Sequence, residues 1–410
     1  MSLLIRGARV LTMGKAGRPR RGAAMRDLGV MPGCDVLVDR GKVAAVGRSL
    51  SMPPGVRVID AGGRVLMPGF VDCHTHACWA GDRIEEWGRR LRGENYLDIL
   101  RAGGGIMSTV RAVRGSEEGV LASGLLRRLN AMLVHGTTTA EVKSGYGLSS
   151  ADELKMLRAI AGAGRVWAGT LAATALLGHA IDPDEPDFVE RTIGETLPAV
   201  SGAFPGVAVD AYCERGAWSV ADTVRLLGAA KVAGHPVRVH ADQFSSLGMV
   251  GEAVRLGAVS ADHLEASERG DLESLASSGV FGVLLPCCGL HLDGRYAKGR
   301  DLIDLGGLVA IATNYNPGSA PCPGMAMAVA LAVRGCGLTP EEAITASTIN
   351  AAAVLGLTDR GAIAPGQRAD LLLLRHRDER ELAFEFGGNP CDAVICGGEV
   401  VAGAVSAGVP

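Results

Sequence analysis

Two histidines separated by one residue, His74 and His76, stand at the end of an apolar run in the segment PGFVDCHTH. Side chains two positions apart in an extended strand point to the same face. Imidazole nitrogens are ligands that suit both zinc and iron. The pair therefore predicts a site for one divalent metal ion, zinc or iron, at the end of this strand.

Other polar residues stand at the same place in later apolar runs. His240 ends the run PVRVH, His263 follows AVSAD, and Asn314 follows LVAIAT. Four of the nine histidines thus fall at predicted strand ends. Histidines that only made hydrogen bonds there would leave this joint placement unexplained, so we prefer the metal-binding interpretation.

The runs that carry these residues alternate with amphipathic segments. Eight apolar runs rich in β-branched residues are typical of strands buried on both faces of a parallel sheet. These runs are 65–72, 137–143, 165–171, 207–212, 236–240, 258–262, 280–285 and 308–313. Eight strand–helix alternations predict an α/β fold, a (β/α)8 TIM-like barrel with its active site at the carboxyl ends of the strands.

The two ends of the sequence share a different pattern. DVLVDRGKVAAVG near the start and DAVICGGEVVAG near the end alternate apolar and polar residues around glycine and aspartate. We therefore expect a small β-sandwich domain formed from residues 1–66 and 357–410, with the barrel spanning residues 67–356.

Composition excludes several classes of partner. A net charge of -3 and an aromatic content of 4% argue against a nucleic-acid-binding surface. No apolar segment approaches the ~20 residues of a membrane span, and the first residues show no secretory signal. These features favour a cytoplasmic protein with reduced cysteines and a small-molecule substrate. The adjacent Cys287 and Cys288 are interpreted as structural, and a soft-metal or redox pair is the less favoured alternative.

Two levels of resemblance follow from these motifs. PGFVDCHTH, the histidines after strands five and six, and GAIAPGQRADLLLL resemble the amidohydrolase superfamily. Within it, several segments are similar to the imidazolonepropionase family, namely RLRGENYLDILRAGGGIMSTVRAVR, TTTAEVKSGYGL, DAYCERGAWS, HADQFSSLG, SADHLE, VLLPCC and NYNPGS. The resemblance runs from about residue 60 to about residue 400.

The resemblance implies an activity and a set of site residues. The implied reaction is hydrolysis of the ring amide of 4-imidazolone-5-propanoate to N-formimino-L-glutamate. The implied metal ligands are His74, His76, His240 and the residue at position 314, here Asn314. The implied catalytic residues are His263, Gln243 and Asn314. The implied substrate-binding residues are Arg83, Tyr96, Tyr146, His179, Gln243 and Asn316. Barrel enzymes of this type often dimerise, so we expect a homodimer.

The chemistry of these side chains suits the implied substrate. Arg83 offers a planar fork that matches a carboxylate, and Tyr146 and His179 can add donors. Gln243 carries a donor and an acceptor, which suits a ring N–H and a carbonyl. Lys143 could instead suggest a carboxylated lysine that bridges metals, but a structural ion pair is the preferred interpretation.

Asn314 stands where the resemblance implies an aspartate that binds the metal and moves a proton. An amide offers a carbonyl oxygen to a metal, but it cannot take up and return a proton near neutral pH. General acid–base catalysis contributes roughly 10²- to 10⁴-fold in rate. Three explanations stay open: a substitution made to slow turnover, a natural variant that moves the proton through His263 or His179, and a relative without efficient chemistry.

Two further functions also stay open. One is hydrolysis of another small cyclic amide or amidine, and the other is ligand binding without catalysis on the same scaffold. Histidine ligands suit zinc and iron alike, so the sequence does not choose between these metals.

Overall fold

The computed structural model describes residues 2–14, 18–94 and 104–403, which form two β-sheets with helices packed around one of them. The strands are β1 (Leu3–Leu11), β2 (Val30–Asp39), β3 (Lys42–Gly47), β4 (Arg57–Asp60), β5 (Val65–Pro68), β6 (Phe70–Asp72), β7 (Thr137–Lys143), β8 (Thr170–Gly178), β9 (Ala208–Cys213), β10 (Val237–Ala241), β11 (Ser260–His263), β12 (Phe281–Leu284), β13 (Leu308–Ile311), β14 (Leu371–Leu374), β15 (Cys391–Cys396) and β16 (Glu399–Gly403).

The helices lie mainly between the strands of the second sheet. They are α1 (Ile84–Leu91), α2 (Ile106–Arg114), α3 (Glu118–Val134), α4 (Ser150–Val166), α5 (Phe188–Arg191), α6 (Leu197–Ala203), α7 (Val220–Val232), α8 (Met249–Leu256), α9 (Arg269–Ala276), α10 (Pro286–His291), α11 (Gly299–Asp304), α12 (Met325–Gly335), α13 (Pro340–Ala346), α14 (Ile349–Val354) and α15 (Glu381–Phe384). A 3-10 helix spans Gly22–Arg26, and a π-helix spans Thr192–Thr196. None of the helices in the described ranges is long and apolar enough to cross a membrane.

Strands β6 to β13 form one parallel sheet in which each strand pairs with the next along the chain. Every connection between them contains at least one helix. Two of these helices start at a serine cap: Ser149 accepts a hydrogen bond from the backbone of Asp152 before α4, and Ser219 accepts one from that of Asp222 before α7. The predicted (β/α)8 barrel is therefore confirmed.

The sheet closes at its carboxyl edge, between the residues that follow β6 and β13. Thr75 and Tyr315 form a parallel bridge. The backbone N–H of Asn314 donates to the carbonyl of His74 (3.1 Å), and that of His76 donates to the carbonyl of Tyr315 (3.0 Å). The residues that complete the barrel are thus predicted metal ligands or their immediate neighbours.

The other sheet joins strands from both chain ends. Strand β5 pairs with β14 in antiparallel fashion and with β1 in parallel fashion. The first half of β1 pairs with β4 and its second half with β5, so the sheet divides at this strand. The strands of this sheet share an apolar core of their own, which contains Ile5, Val36, Leu371 and Ile395. The expected small β-domain built from both chain ends is present.

Two predicted strands differ from the observed ones. The run 65–72 is divided at Gly69, with β5 in the terminal sheet and β6 in the barrel. A Cβ at Gly69 would lie 2.1 Å from Thr138 Oγ1, so only glycine allows this close crossing. The predicted strand 165–171 lies too early in the sequence. Helix α4 continues to Val166, and the observed strand, β8, spans Thr170–Gly178. Strand β8 is rich in alanine, which is depleted in strands, and the residue pattern therefore misses it.

Charged side chains fill the barrel interior below the carboxyl ends of its strands. Lys143 Nζ lies 2.7 Å from Glu141 Oε1 and 2.8 Å from Asp210 Oδ2. Arg238 Nη2 lies 2.6 Å from Asp262 Oδ2, and its Nη1 lies 3.2 Å from Glu141 Oε1. All five side chains are buried. Lys143 therefore forms the structural ion pair that we preferred.

We expect Arg238→Met to lower the free energy of unfolding by about 3–5 kcal/mol, because it leaves Asp262 as a buried carboxylate without its cation. Urea denaturation followed by circular dichroism measures the change. The control is Arg269→Ala, since Arg269 and its partner Glu273 are more than half exposed. That variant should keep the wild-type midpoint. Equal midpoints for Arg238→Met and wild type would contradict the structural role of this network.

Candidate metal centre and substrate pocket

Three histidines meet at the mouth of the barrel. His74 and His76 lie in the extended segment after β6, and His240 lies in β10. One ligand atom from each lies within 4.8 Å of the other two. His76 Nε2 and His240 Nε2 are 3.3 Å apart. Two nitrogens bound to one tetrahedral ion at 2.0–2.1 Å stand about 3.3 Å from each other, so this separation matches a shared metal.

Carboxylates orient two of these rings. His74 Nδ1 lies 2.5 Å from Asp262 Oδ2, and His240 Nδ1 lies 3.3 Å from Asp210 Oδ1. A ring that donates its Nδ1–H to a carboxylate keeps a lone pair on Nε2, and this second contact is common behind metal-bound histidines. Lys143 and Arg238 in turn hold the two carboxylates.

Buried polar atoms without partners point to the same conclusion. His74 Nε2 and Asn314 Oδ1 are buried and form no hydrogen bond within the described residues. Burial lowers the pKa of His74 and of His76 well below the usual value, so both imidazoles are neutral and can bind a cation. The residues at this mouth therefore fit a divalent metal ion.

Asn314 lies at the edge of this histidine trio. Its backbone φ is 57°, in the left-handed region that asparagine tolerates better than most residues. Its side chain forms a hydrogen bond with Cys288, an interaction in which the amide N–H donates. The amide is thereby oriented by the thiol, and Oδ1 stays available as a fourth ligand.

His263 ends β11 with a φ of 88°, and Leu264 follows with a φ of 73°. Such values are strained for residues other than glycine and persist where the surroundings impose them. His263 Nδ1 lies 3.2 Å from Glu265 Oε1, and its ring centroid lies 5.6 Å from that of His240. His263 is therefore a histidine with its own carboxylate beside the trio.

Tyr146 and His179 border the trio on another side. The ring of His179 stacks on His76 at 5.0 Å, and Tyr146 lies 5.0 Å from His179. His179 Nδ1 lies 2.9 Å from the carbonyl of Gly145, so Nδ1 carries the proton and Nε2 is an acceptor. Burial, together with His240, lowers the pKa of His179 to about 3. The ring is thus neutral and offers an acceptor, where we had expected a donor.

Arg83 precedes α1 and is held from one side. Its Nε lies 2.6 Å from Glu86 Oε2, and Nη2 contacts Glu86 Oε1. Glu86 also accepts a hydrogen bond from the backbone of Gly105 (2.8 Å). The remaining edge of the guanidinium faces Gly318, where an added Cβ would lie 3.3 Å from Nη1. One fork of Arg83 is fixed and the other is directed at the loop after β13.

The side-chain amides of Gln243 and Asn316, both predicted to contact the substrate, form hydrogen bonds within the protein. Gln243 Nε2 donates to Cys288 Sγ (3.4 Å). Asn316 Oδ1 accepts from the backbone of Gly318 (2.8 Å) and of Ser319 (2.7 Å), and its Nδ2 donates to the carbonyl of Asn314 (2.6 Å). Asn316 therefore shapes the loop at the mouth, and Gln243 borders the thiol. Tyr96 lies outside the described residues.

Sequence reasoning missed the partners of the ligands. Asp262 directly precedes His263, and Glu265 follows it by two positions, so both were visible in the motif SADHLE. Asp210 opens the segment DAYCERGAWS, which was used only for the resemblance. Cys288 was noted only as a structural thiol, yet it lies with His263 and Glu265 in a second group of potential ligands.

Comparison with known proteins agrees with this geometry. Residues 65–401 match the model of the amidohydrolase family. An imidazolonepropionase of Deinococcus radiodurans is 44% identical, with 93% of this chain and 95% of that protein covered. One from Herpetosiphon aurantiacus is 42% identical, with 93% of each covered. The crystal structure of 5-methylcytosine deaminase from Klebsiella pneumoniae with 5-fluorocytosine is 17% identical with a TM-score of 0.74, and 100% and 99% of the chains align. The chain therefore belongs to the amidohydrolase family, among the imidazolonepropionases.

Proposed function

We propose that this protein hydrolyses the ring amide of 4-imidazolone-5-propanoate to N-formimino-L-glutamate, with one zinc or iron ion held by His74, His76, His240 and Asn314. The observation that carries the proposal is the histidine trio at the barrel mouth, whose ligand atoms lie together and include the unpartnered His74 Nε2. The shared name of full-length relatives favours this substrate over another cyclic amide and over ligand binding without catalysis.

A divalent ion bound there would lower the pKa of water and supply hydroxide at neutral pH. The protein's part is to hold the ring nitrogens in place. Asp262 and Asp210 fix the tautomers of His74 and His240 through hydrogen bonds to Nδ1. The buried position of the trio also excludes bulk water, which strengthens electrostatic contacts to the reacting carbonyl.

His263 is the proposed carrier of the proton that Asn314 cannot carry. When its Nδ1–H donates to Glu265, Nε2 is left as an acceptor on a ring whose centroid lies 5.6 Å from that of His240. A proton taken up at Nε2 makes an imidazolium that Glu265 stabilises, and the same nitrogen can return it to the departing ring nitrogen. His179 is the weaker candidate, because its Nδ1 faces a backbone carbonyl and no carboxylate.

The remaining residues are assigned to substrate binding. Arg83 would bind the propanoate with the fork that Glu86 leaves free, and Tyr146 would donate its hydroxyl. His179 would accept a hydrogen bond from a ring N–H of the substrate. Gln243, next to Cys288, would form hydrogen bonds with the ring N–H and carbonyl. Asn316 would act through the shape of its loop, and Tyr96 completes the proposed set. A homodimer and a cytoplasmic location also remain proposals, and light scattering tests the first.

Zinc added to metal-free protein should raise its melting temperature, because a ligand at 100 times its dissociation constant stabilises the folded state by about 2.7 kcal/mol. His74→Ala should reduce this shift and abolish turnover. The control is His135→Ala, since His135 caps the end of α3 and is not one of the three grouped histidines. Elemental analysis of the purified protein decides between zinc and iron. An unchanged zinc response in His74→Ala would refute the assigned ligands.

Glu265→Gln should lower kcat by about 10²-fold or more, because the imidazolium of His263 loses its counter-charge. Loss of the substrate's ultraviolet absorbance measures turnover. Asn314→Asp adds a second group able to carry a proton, so Glu265→Gln should cost less in that background. The exposed Glu273→Gln is the control. Equal losses in both backgrounds would argue against a shared proton-transfer task.

Arg83→Ala should lower kcat/KM for imidazolonepropanoate by about 10- to 100-fold, because hydrogen bonds to a charged group contribute ~1.5–3 kcal/mol. The same variant should act on unsubstituted imidazolone as wild type does, since that ring lacks the carboxylate. Steady-state kinetics with both compounds provide the test. Equal losses on the two compounds would mean that Arg83 supports the fold of the mouth and does not bind the propanoate.

A further inference from the structure

A second group of ligating side chains lies beside the histidine trio. One ligand atom each from His263, Glu265 and Cys288 lies within 4.8 Å of the other two. His263 ends β11, Glu265 follows it by two positions, and Cys288 lies in the first turn of α10. The side chains of His263 and Glu265 are 3% and 5% exposed, and Cys288 is 2% exposed. The group is therefore nearly closed to bulk solvent.

Glu265 supplies an independent indication of a cation. Its Oε2 is buried and has no hydrogen-bond partner in the part of the chain that the structure describes. A buried carboxylate oxygen without a partner is costly unless a positive charge satisfies it. Its Oε1 lies 3.2 Å from His263 Nδ1. This separation is close to the ~3.3 Å expected for two ligands of one tetrahedral ion.

Burial, together with Glu265, raises the pKa of the Cys288 thiol, so the thiolate that binds metals forms there only when a cation is bound. Three side chains form hydrogen bonds with its sulfur: Ser319, Gln243 and Asn314. A serine hydroxyl and two amides donate to the sulfur and so stabilise a negative charge there. A carboxylate at position 314 could not donate and would repel the thiolate. Asn314 is therefore suited to this neighbour in a way that an aspartate is not.

We propose that His263, Glu265 and Cys288 form a second cation site, for zinc or a similar divalent ion, next to the histidine trio. One imidazole, one carboxylate and one thiolate are a ligand set that zinc accepts, and three protein ligands leave one position open. The two anionic ligands balance the charge of the ion, and the thiol proton leaves to solvent when the ion binds.

Occupation of this second site has a consequence for catalysis, which rests on the function proposed above. An ion bound to His263 and Glu265 removes that pair from proton transfer. The first ion then supports turnover, and the second suppresses it. The binding of two ions does not depend on the identity of the substrate.

Cobalt(II) titrated into the metal-free protein tests the binding directly, because a cobalt–thiolate bond gives a charge-transfer band in the near ultraviolet. We expect this band to grow with the second equivalent of cobalt, after the histidine trio is filled. Equilibrium dialysis with elemental analysis should find two ions per wild-type chain. Cys288→Ser should bind one ion and show no such band.

Cys287→Ser is the matched control, since Cys287 adjoins Cys288 but is not one of the three ligands. It should bind two ions and keep the band. Melting curves of the metal-free variants establish that each one folds, and Glu265→Gln replaces Cys288→Ser if the latter does not. A single ion per wild-type chain, or a band that persists in Cys288→Ser, would overturn the proposal.

Activity separates this proposal from the assigned reaction. The second equivalent of zinc should lower the turnover of wild-type protein by about 10²-fold, the scale of lost general acid–base catalysis. The ratio of turnover with two equivalents to turnover with one should stay near unity in Cys288→Ser. Absence of turnover at every zinc level would contradict the proposed reaction and leave the two-ion stoichiometry as the test of the second site.

Discussion

The closing seam of the barrel is the constraint on which the site depends. Strands β6 and β13 are the first and last of the sheet, and their continuations meet through the bridge between Thr75 and Tyr315. His74, His76 and Asn314 lie in those same few residues. Two backbone hydrogen bonds therefore fix the separation of ligands that are about 240 positions apart in sequence. Side-chain packing alone would hold them less accurately.

The charges inside the barrel extend this constraint. A buried carboxylate needs a compensating cation or a set of donors, and here Lys143 and Arg238 serve that purpose. Asp210 and Asp262 are then able to hold the Nδ1 atoms of His240 and His74. The charged residues inside the barrel therefore orient the rings of the proposed metal ligands. A purely apolar interior would give a stable barrel with imidazole rings free to rotate.

The sequence predicted most of this arrangement, and the exceptions have physical causes. The alternation of apolar runs with amphipathic segments identified the barrel, because eight parallel strands have few other solutions. The trio was predicted from polar residues at strand ends. Most of β8 beyond residue 171 was missed, since alanine carries little strand signal. Side-chain tautomers were not predictable either: the proton on His179 is set by the carbonyl of Gly145, which only the folded chain brings near.

At Gly69 the chain passes from the terminal sheet into the barrel. This crossing limits the order in which the two sheets can form during synthesis. Strand β5 pairs with β14, which is translated about 300 residues later, and β6 continues directly from β5 into His74. The barrel mouth also closes only when Tyr315 forms its bridge with Thr75. A nascent chain therefore cannot present a finished metal pocket until nearly all of it has left the ribosome. Ion capture is thus a late event, and long-range pairing of this kind makes folding slow.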